Sequence, residues 1–459
     1  MPPKPNNATS RRSFLRYASL AAAGNAAGLR PFGMLNALAS SGAAAAAAPA
    51  SYKALVCVFL YGGNDGNNTI IPFDATGYGN YTKLRGPLAL AQNSLLTLPG
   101  LPNFALHPNL PEIQALVNSG QAAIVANVGT LLQPTTRAQY LAGAVKPTNL
   151  FSHPDQQEEW QNVSASGSTS TGWAGRLADA MGSSHNGGAS IPMVTSVAGD
   201  TLFCNGASTT PVAVSPGNTS GSTCSEGTEC TARQTAAQSL LTFNSGLSLV
   251  TADDGITANS YRYAKTLADA SASAAPLKTV FPANNGLAAQ LKQIAQIIAI
   301  RSALGVDRQI FFCGIGNFDT HSTQLTTQAT LLAGISAAIG AFYQSTQELG
   351  VADQVTTFTM SDFARTLQPN SNGGSDHGWG SHHFVVGGSV LGNKIYGTYP
   401  TLALGGPDDS GTNGRWIPST ASVQYASTLA QWFGVDQSAM AQVFPTLSGF
   451  KTTSLGFLG

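Results

Sequence analysis

Residues 361–383 read SDFARTLQPNSNGGSDHGWGSHH, which gathers two aspartates (Asp362, Asp376), one arginine (Arg365) and three of the seven histidines (His377, His382, His383). Carboxylates and imidazoles at this density are the donors of a divalent-metal site. A mixed set suits Zn²⁺, Mn²⁺ or Fe, whereas Ca²⁺ or Mg²⁺ alone prefers oxygen ligands. Two further stretches carry residues of the same kind, GGNDGNNT at 62–69 and NFDTH at 317–321. One ion, or two about 4 Å apart, would polarise a phosphoryl or sulfuryl oxygen and lower a nucleophile's pKa.

A sheet must position these residues. The run 355–360 (VTTFTM), just before the first stretch, is β-branched and aromatic, as a buried strand is. Residues 54–61 (ALVCVFLY), 122–128 (AAIVANV) and 308–316 (RQIFFCGIG) are continuous apolar runs of the kind covered on both faces in a parallel sheet. Further strands are expected at 191–197 and 384–388. Helical patterns at 110–119, 172–181, 287–304, 328–349, 422–433 and 437–444 alternate with the strands. The alternation predicts an α/β fold, a doubly wound and mostly parallel sheet flanked by helices. Loops at the carboxyl ends of such strands share one edge, so Asp65, Asp319 with His321, and Asp362 with Asp376 and His377 should converge there. Residues 199–255, rich in Ser, Thr, Gly and Cys, read as an insertion or lid on a single domain spanning 51–459. His107 and His185 fall in ordinary loops and receive no role.

The first fifty residues stand outside this fold. SRRSFLR at 10–16 is a twin-arginine export motif, and an Ala-rich stretch leads to Ala48-Pro49-Ala50, a small-residue cleavage site. The mature chain is expected to begin near Ser51 and to leave the cytoplasm folded, through the twin-arginine machinery, for the periplasm or beyond. No later stretch offers about 18 uninterrupted apolar residues, so no stable membrane span is expected. Residues 1–50 hold five of the 22 basic residues and none of the 22 acidic ones, leaving 17 against 22, a net of −5. With no basic stripe, nucleic acid is not the expected partner. Of the cysteines, Cys57 and Cys313 sit in strands as buried thiols. Cys224 and Cys230, with Cys204 nearby, could form one bridge in an oxidising compartment, and Cys224–Cys230 is the first choice.

The twin-arginine start, GGNDGNNT, LFSHPDQQEEWQ, FDTHSTQ, FTMSDFARTL and GGSDHGWGSHHFVVGG together resemble the exported bacterial family of domain of unknown function 1501. The resemblance covers essentially the whole mature chain. That family is in turn similar to the alkaline phosphatase and sulfatase superfamily, which implies a metal-dependent α/β hydrolase of phosphate or sulfate esters, using one or two divalent ions. Position by position, Asp65 is implied as an aspartate of one metal and Asp362 as its second ligand. Phe363 stands where a histidine is usual, with Asp376 available to replace it. Asp319 and His321 resemble the Asp and His of the other metal, although they are two residues apart where four is common. His377, with His383 or His382, would complete that site.

The superfamily's nucleophile is a Ser, Thr or modified Cys at a helix N-terminus. Ser152 matches best, with His153 beside it as part of the catalytic set; Thr136, next to Arg137, comes second and Thr69 third. Ser152 serves equally as a plain N-cap. Asn64 and Arg365 are candidates for binding substrate oxygens, an arginine fork being suited to phosphate or sulfate. The rival reading is a non-catalytic exported protein of the same fold that binds a carbohydrate or cell-envelope partner. A catalytic site keeps an open metal position, while a structural one is closed by protein ligands.

Overall fold

The apolar runs become the middle of one sheet. Its strands among the described residues are β1 (Lys53–Leu60), β2 (Ala122–Gly129), β3 (Val194–Ser196), β4 (Val212–Ala213), β5 (Arg308–Ile315), β6 (Val355–Ser361), β7 (Ser381–Val386), β8 (Ile395–Tyr396) and β9 (Thr420–Ala421). The order is β8-β2-β7-β6-β1-β5-β3-β4, with β9 also beside β2. β1 pairs in parallel with β5 and with β6, whereas β7 is antiparallel to both of its neighbours. The sheet is thus mostly parallel and flanked by helices, the architecture that the alternating pattern predicts. This computed structural model describes residues 52–459 apart from 165–168, 183, 217–227 and 243–245. The expected export segment and the expected Cys224–Cys230 pairing lie outside the described residues.

The central strands are buried because both of their faces are covered. Leu55, Cys57 and Phe59 share a core with Leu177 of helix Trp173–Met181 and with Tyr425 and Phe433 of helix Ser422–Phe433. Val56 and Val58 alternate to the other face and are equally buried. Cys57, Cys204 and Cys313 are buried free thiols.

Three helices matter for the site: α1 (Gly66–Thr69), α2 (His153–Asn162) and α3 (Gln324–Glu348). α3 starts four residues before the apolar pattern, because Gln324 and Gln328 turn inward to a buried polar network. It is the one helix among the described residues long and apolar enough to cross a membrane; half of its most apolar window is buried in the protein, where it packs against helices Gly286–Ala299 and Pro111–Asn118. Helices Thr228–Leu240 and Ser248–Ser271 belong to a compact unit separate from the one that holds the sheet. Within the stretch expected as an insertion, β4 pairs with β3.

Candidate metal centre

β1, β5 and β6 end level, Leu60 lying opposite both Ile315 and Ser361. Their loops therefore emerge side by side. The chain leaving β1 passes so close to the loop after β5 that a Cβ on Gly62 would sit 2.4 Å from Asp319 N. Gly62 also has φ +112°, a conformation that side chains resist. Its N–H donates to Asp362 Oδ1 at 3.1 Å, which ties the third strand end to the first.

Beyond β6 the backbone doubles back on itself. Thr366 N donates to Asp376 O at 2.9 Å and Gly378 N to Ala364 O at 2.7 Å, so that Arg365 and His377 pair across a bridge. Asn370 Oδ1 closes the turn by accepting from Asn372 N and Gly374 N. Gly374 touches the FDTH loop, where a Cβ would come within 2.2 Å of the His321 carbonyl carbon. Gly374→Ala is therefore expected to displace His321 and weaken metal binding by about tenfold or more, measured by chelator competition.

Helix α2 supplies the remaining group. Pro154 fixes its first turn and sets His153 at its N-terminus. His153 Nδ1 donates to Asp362 Oδ2 at 2.7 Å, and its Nε2 faces Asp319 Oδ2 at 3.4 Å. His321 Nδ1 faces Asp376 Oδ1 at 3.2 Å, with Nε2 3.0 Å from Asp319 Oδ1 and 2.9 Å from His377 Nε2. His377 Nδ1 donates to Phe151 O at 2.7 Å, and its Nε2 is 3.3 Å from Asp319 Oδ1. The ligand atoms of His153, Asp319 and His377 all lie within 4.8 Å of one another.

The protonation pattern indicates what this cluster could hold. Each ring commits Nδ1 to an oxygen acceptor, so each neutral imidazole carries its hydrogen there and a lone pair on Nε2. Two bare nitrogens 2.9 Å apart repel. A proton on His321 would relieve that pair but would leave His153 Nε2, which is sealed from solvent and has no hydrogen-bond partner. A divalent cation among His153, Asp319 and His377, with His321 Nε2 at its edge, would answer these unpaired nitrogens. Asp319 oxygens lie 3.0 to 3.4 Å from the three Nε2 atoms, close to the roughly 3.3 Å between neighbouring donors of one ion with bonds near 2.0 Å. Imidazole donors of this kind would suit Zn²⁺ or a neighbouring transition ion better than Ca²⁺ or Mg²⁺.

The surroundings hold Asp319 ionised and His377 neutral, while His153 is pulled toward its protonated form until a cation takes its Nε2. Burial works against the Asp319 charge, but the Arg365 hydrogen bond and charge outweigh it, helped by His321 and His153, and its pKa falls to about 2. The hydrogen bond to Asp362 raises His153 despite burial. Burial lowers His377, which keeps that ring neutral and its lone pair available.

The structure thus brings together Asp319, His321, His377 and His153. Asp362 and Asp376, expected as ligands, stand behind the rings and orient them. Asp362 is fully buried, with Oδ1 on Gly62 N and Oδ2 on His153 and on Gln157 Nε2 at 2.8 Å. Asp65, also expected as a ligand, turns elsewhere. Its Oδ1 caps α1 through Asn67 N, and its Oδ2 accepts from Gln324 Nε2 and forms a buried ion pair with Arg85. Arg365 does not reach out to substrate: it is buried and spends its N–H groups on the carbonyls of Gly62, Gly63, Phe318 and Ser375 and on Asp319. Asn64 is buried too, its side chain donating to Thr69 Oγ1 at 3.1 Å.

None of the three expected nucleophiles hydrogen-bonds to the cluster. Ser152 Oγ donates to Asp155 in its own helical turn, Thr136 forms a capping box with Gln139, and Thr69 Oγ1 donates to Asp65 O at 2.7 Å. His382 and His383 lie within β7 rather than in the loop before it. His382 Nδ1 accepts from Asn127 N at 3.1 Å, and the His383 ring packs 4.9 Å from that of Trp160. Burial drives both to about 3, so they are neutral core histidines and not ligands. Phe363 stacks on His377 with ring centroids 4.5 Å apart and lies 4.7 Å from the His153 ring. It packs against the rings of the cluster where the resemblance implies a ligand.

Two arginines at the site were not singled out from the sequence. Arg85 meets Asp65 from twenty residues away, and no spacing rule pairs them. Arg415 Nε donates to His377 O at 2.8 Å; its one sequence signal is an arginine between Gly414 and Trp416 at the end of a turn-rich loop. α2 also carries Glu159, whose carboxyl is raised from 4.5 to about 7 by burial, against a hydrogen bond from Thr148 and with help from Asp155 and Glu158. Between those values the folded chain keeps a proton that the unfolded chain has released. Its stabilising contribution is therefore full below about pH 4.5 and is lost as pH rises through about 7, by about 3 kcal/mol. Glu159→Gln should flatten that slope, measured by denaturant unfolding at a series of pH values.

Residues 52–413 match the family described as "Protein of unknown function (DUF1501)". No curated protein matches the sequence. Among solved structures, Ps i-CgsB in complex with k-i-k-neocarrahexaose is similar at 10% identity and TM-score 0.35, over 88% of this chain and 75% of that one. The lipoteichoic acid synthase LtaP from Listeria monocytogenes is similar at 10% and 0.33, over 86% and 76%. The PsFucS1 sulfatase from Pseudoalteromonas sp. is similar at 10% and 0.31, over 75% and 64%. Likeness at this level carries no argument about activity.

Proposed function

From the premise that this chain belongs to the DUF1501 family, we propose that it is an exported, metal-dependent hydrolase of phosphate or sulfate esters, with one divalent ion held by His153, Asp319, His321 and His377. The observation that carries the reading is the convergence of His153, Asp319 and His377, with His321 Nε2 2.9 Å from His377 Nε2 and each ring fixed from behind through Nδ1. When bound, the ion supplies Lewis-acid polarisation of the ester and a water of lowered pKa. The protein's own residues do the rest. Asp362, Asp376 and the Phe151 carbonyl hold the tautomers, Arg365 keeps Asp319 ionised, and Phe363 keeps water off one side of the rings. Asp319 and His321 remain 46% and 43% exposed, which leaves one side of the cluster open to an ester. Among the described residues no Ser or Thr hydroxyl hydrogen-bonds to the cluster, and the nucleophile in this proposal is water. Its oxygen forms the new bond to phosphorus or sulfur, the bond to the ester oxygen breaks, and the alcohol leaves with a proton. The twin-arginine motif supports an exported site of action.

One observation favours a second reading. Four protein donors suffice for a tetrahedral ion, which would make the site closed and structural in a carbohydrate-binding or envelope-binding protein. Elemental analysis of the exported protein, with p-nitrophenyl phosphate and p-nitrophenyl sulfate as substrates, separates the two. Wild type should carry about one equivalent of metal, and His153→Ala and His377→Ala should lose metal and hydrolysis together. Metal without hydrolysis of either ester favours the structural reading. A metal-free protein indifferent to chelator would end both.

A further inference from the structure

A site for an anionic ester needs a fixed positive group besides the ion, and the arginine nearest the metal ligands is already committed. Arg365 has its guanidinium buried against four carbonyls and Asp319. We propose that Arg415 is the anion-binding residue of this centre and that its free guanidinium edge receives the charged oxygens of a phosphate or sulfate group. The inference rests on the metal reading above and adds to it a residue that grips the substrate.

Three contacts fix Arg415 at the rim. Its Nε donates to the carbonyl of the ligand His377 at 2.8 Å. Its guanidinium carbon lies 4.3 Å from the centroid of the Phe151 ring, and Phe151 O is the acceptor that orients His377. Its backbone N–H donates to Asp409 Oδ1 at 3.1 Å, and that fully buried carboxylate also gathers the N–H groups of Gly405, Gly411 and Gly414. The backbone is thus tied to a buried carboxylate, while Arg415 itself is only partly buried.

The rest of the guanidinium is unspent. Among the described residues, no group accepts from Nη1 or Nη2, and the arginine and lysine salt bridges are Arg85–Asp65, Lys265–Asp269 and Arg365–Asp319. Anchored through Nε and one ring face, Arg415 presents the Nη1–Nη2 edge, whose parallel N–H groups match two oxygens of a tetrahedral oxyanion. A lysine could keep a positive charge there but could not also bond the His377 carbonyl, stack on Phe151 and present a fork.

The test uses orthophosphate and sulfate as probes, titrated calorimetrically into metal-loaded wild type, Arg415→Gln and Arg415→Lys, with metal content and thermal midpoint recorded for each. Wild type should bind at least one of the two anions, and the tighter one names the ester class. Arg415→Gln should weaken that binding by about tenfold or more at unchanged metal content and midpoint, and Arg415→Lys should recover part of it. Equal affinity in Arg415→Gln and wild type, or a wild type that holds metal yet binds neither anion, overturns the proposal and leaves the hydrolase reading standing. Loss of metal in Arg415→Gln makes the residue a clamp on His377, which also overturns it. A metal-free wild type is seen before any anion is added; there the hydrolase reading fails first and takes this inference with it.

Discussion

Asp65→Ala is expected to cost about 3–5 kcal/mol of folding stability and to leave the metal content of the folded protein unchanged. Asp65 is 1% exposed and its partner Arg85 is not exposed at all. Arg85 would keep its hydrogen bonds to Asn68 Oδ1 and to the Thr366 and Leu367 carbonyls, but no carboxylate would balance its charge. Asn67 N and Gln324 Nε2 would lose their acceptor as well. Removing one member of a buried pair strands the other, whereas removing both does not, so Asp65→Asn combined with Arg85→Met should regain part of the loss. Denaturant unfolding with parallel metal analysis checks this. If Asp65→Asn loses metal while keeping its stability, Asp65 belongs among the ligands and the ion-pair account is wrong.

The contrast between Asp65 and Asp319 marks where sequence reasoning stops. Both follow an apolar run and sit in a Gly/Asn-rich loop, and both lie at the same edge of the sheet. The runs were legible because a doubly covered strand must be apolar along its whole length, and the edge was legible because parallel strands end together. Which way each carboxylate turns was not. Asp65 caps the short helix α1 and turns to Arg85, while Asp319 is turned toward the rings by Arg365. The two shells of the site were mixed for the same reason. Asp362 and His153 look alike as donors in a sequence, and only the geometry at the start of α2 shows that the ring faces the cluster with the carboxylate behind it. His383 misled by proximity: β7 begins at Ser381, two residues before it, and carries it into the core against Trp160.

Asp362 offers the sharpest test of that two-shell arrangement, because two substitutions there should separate stability from metal binding. Asp362→Ala strands three donors, Gly62 N, His153 Nδ1 and Gln157 Nε2, around a position that is itself fully buried, at a cost of about 2–5 kcal/mol. It also frees the His153 ring, which should lower metal affinity by about 10–100-fold. Asp362→Asn keeps the shape and an acceptor for Gly62 N, so its stability should fall much less. Its amide NH₂, however, would stand where Oδ2 now accepts from His153. The ring could then bond only by accepting at Nδ1, which moves its hydrogen to Nε2 and points that hydrogen at the other three donors. Asp362→Asn should therefore weaken metal binding as much as Asp362→Ala while remaining closer to wild type in denaturant. Chelator competition measures the affinity and urea unfolding the stability. Wild-type affinity in Asp362→Asn would mean that His153 Nε2 is not a ligand, and the centre would reduce to Asp319, His321 and His377.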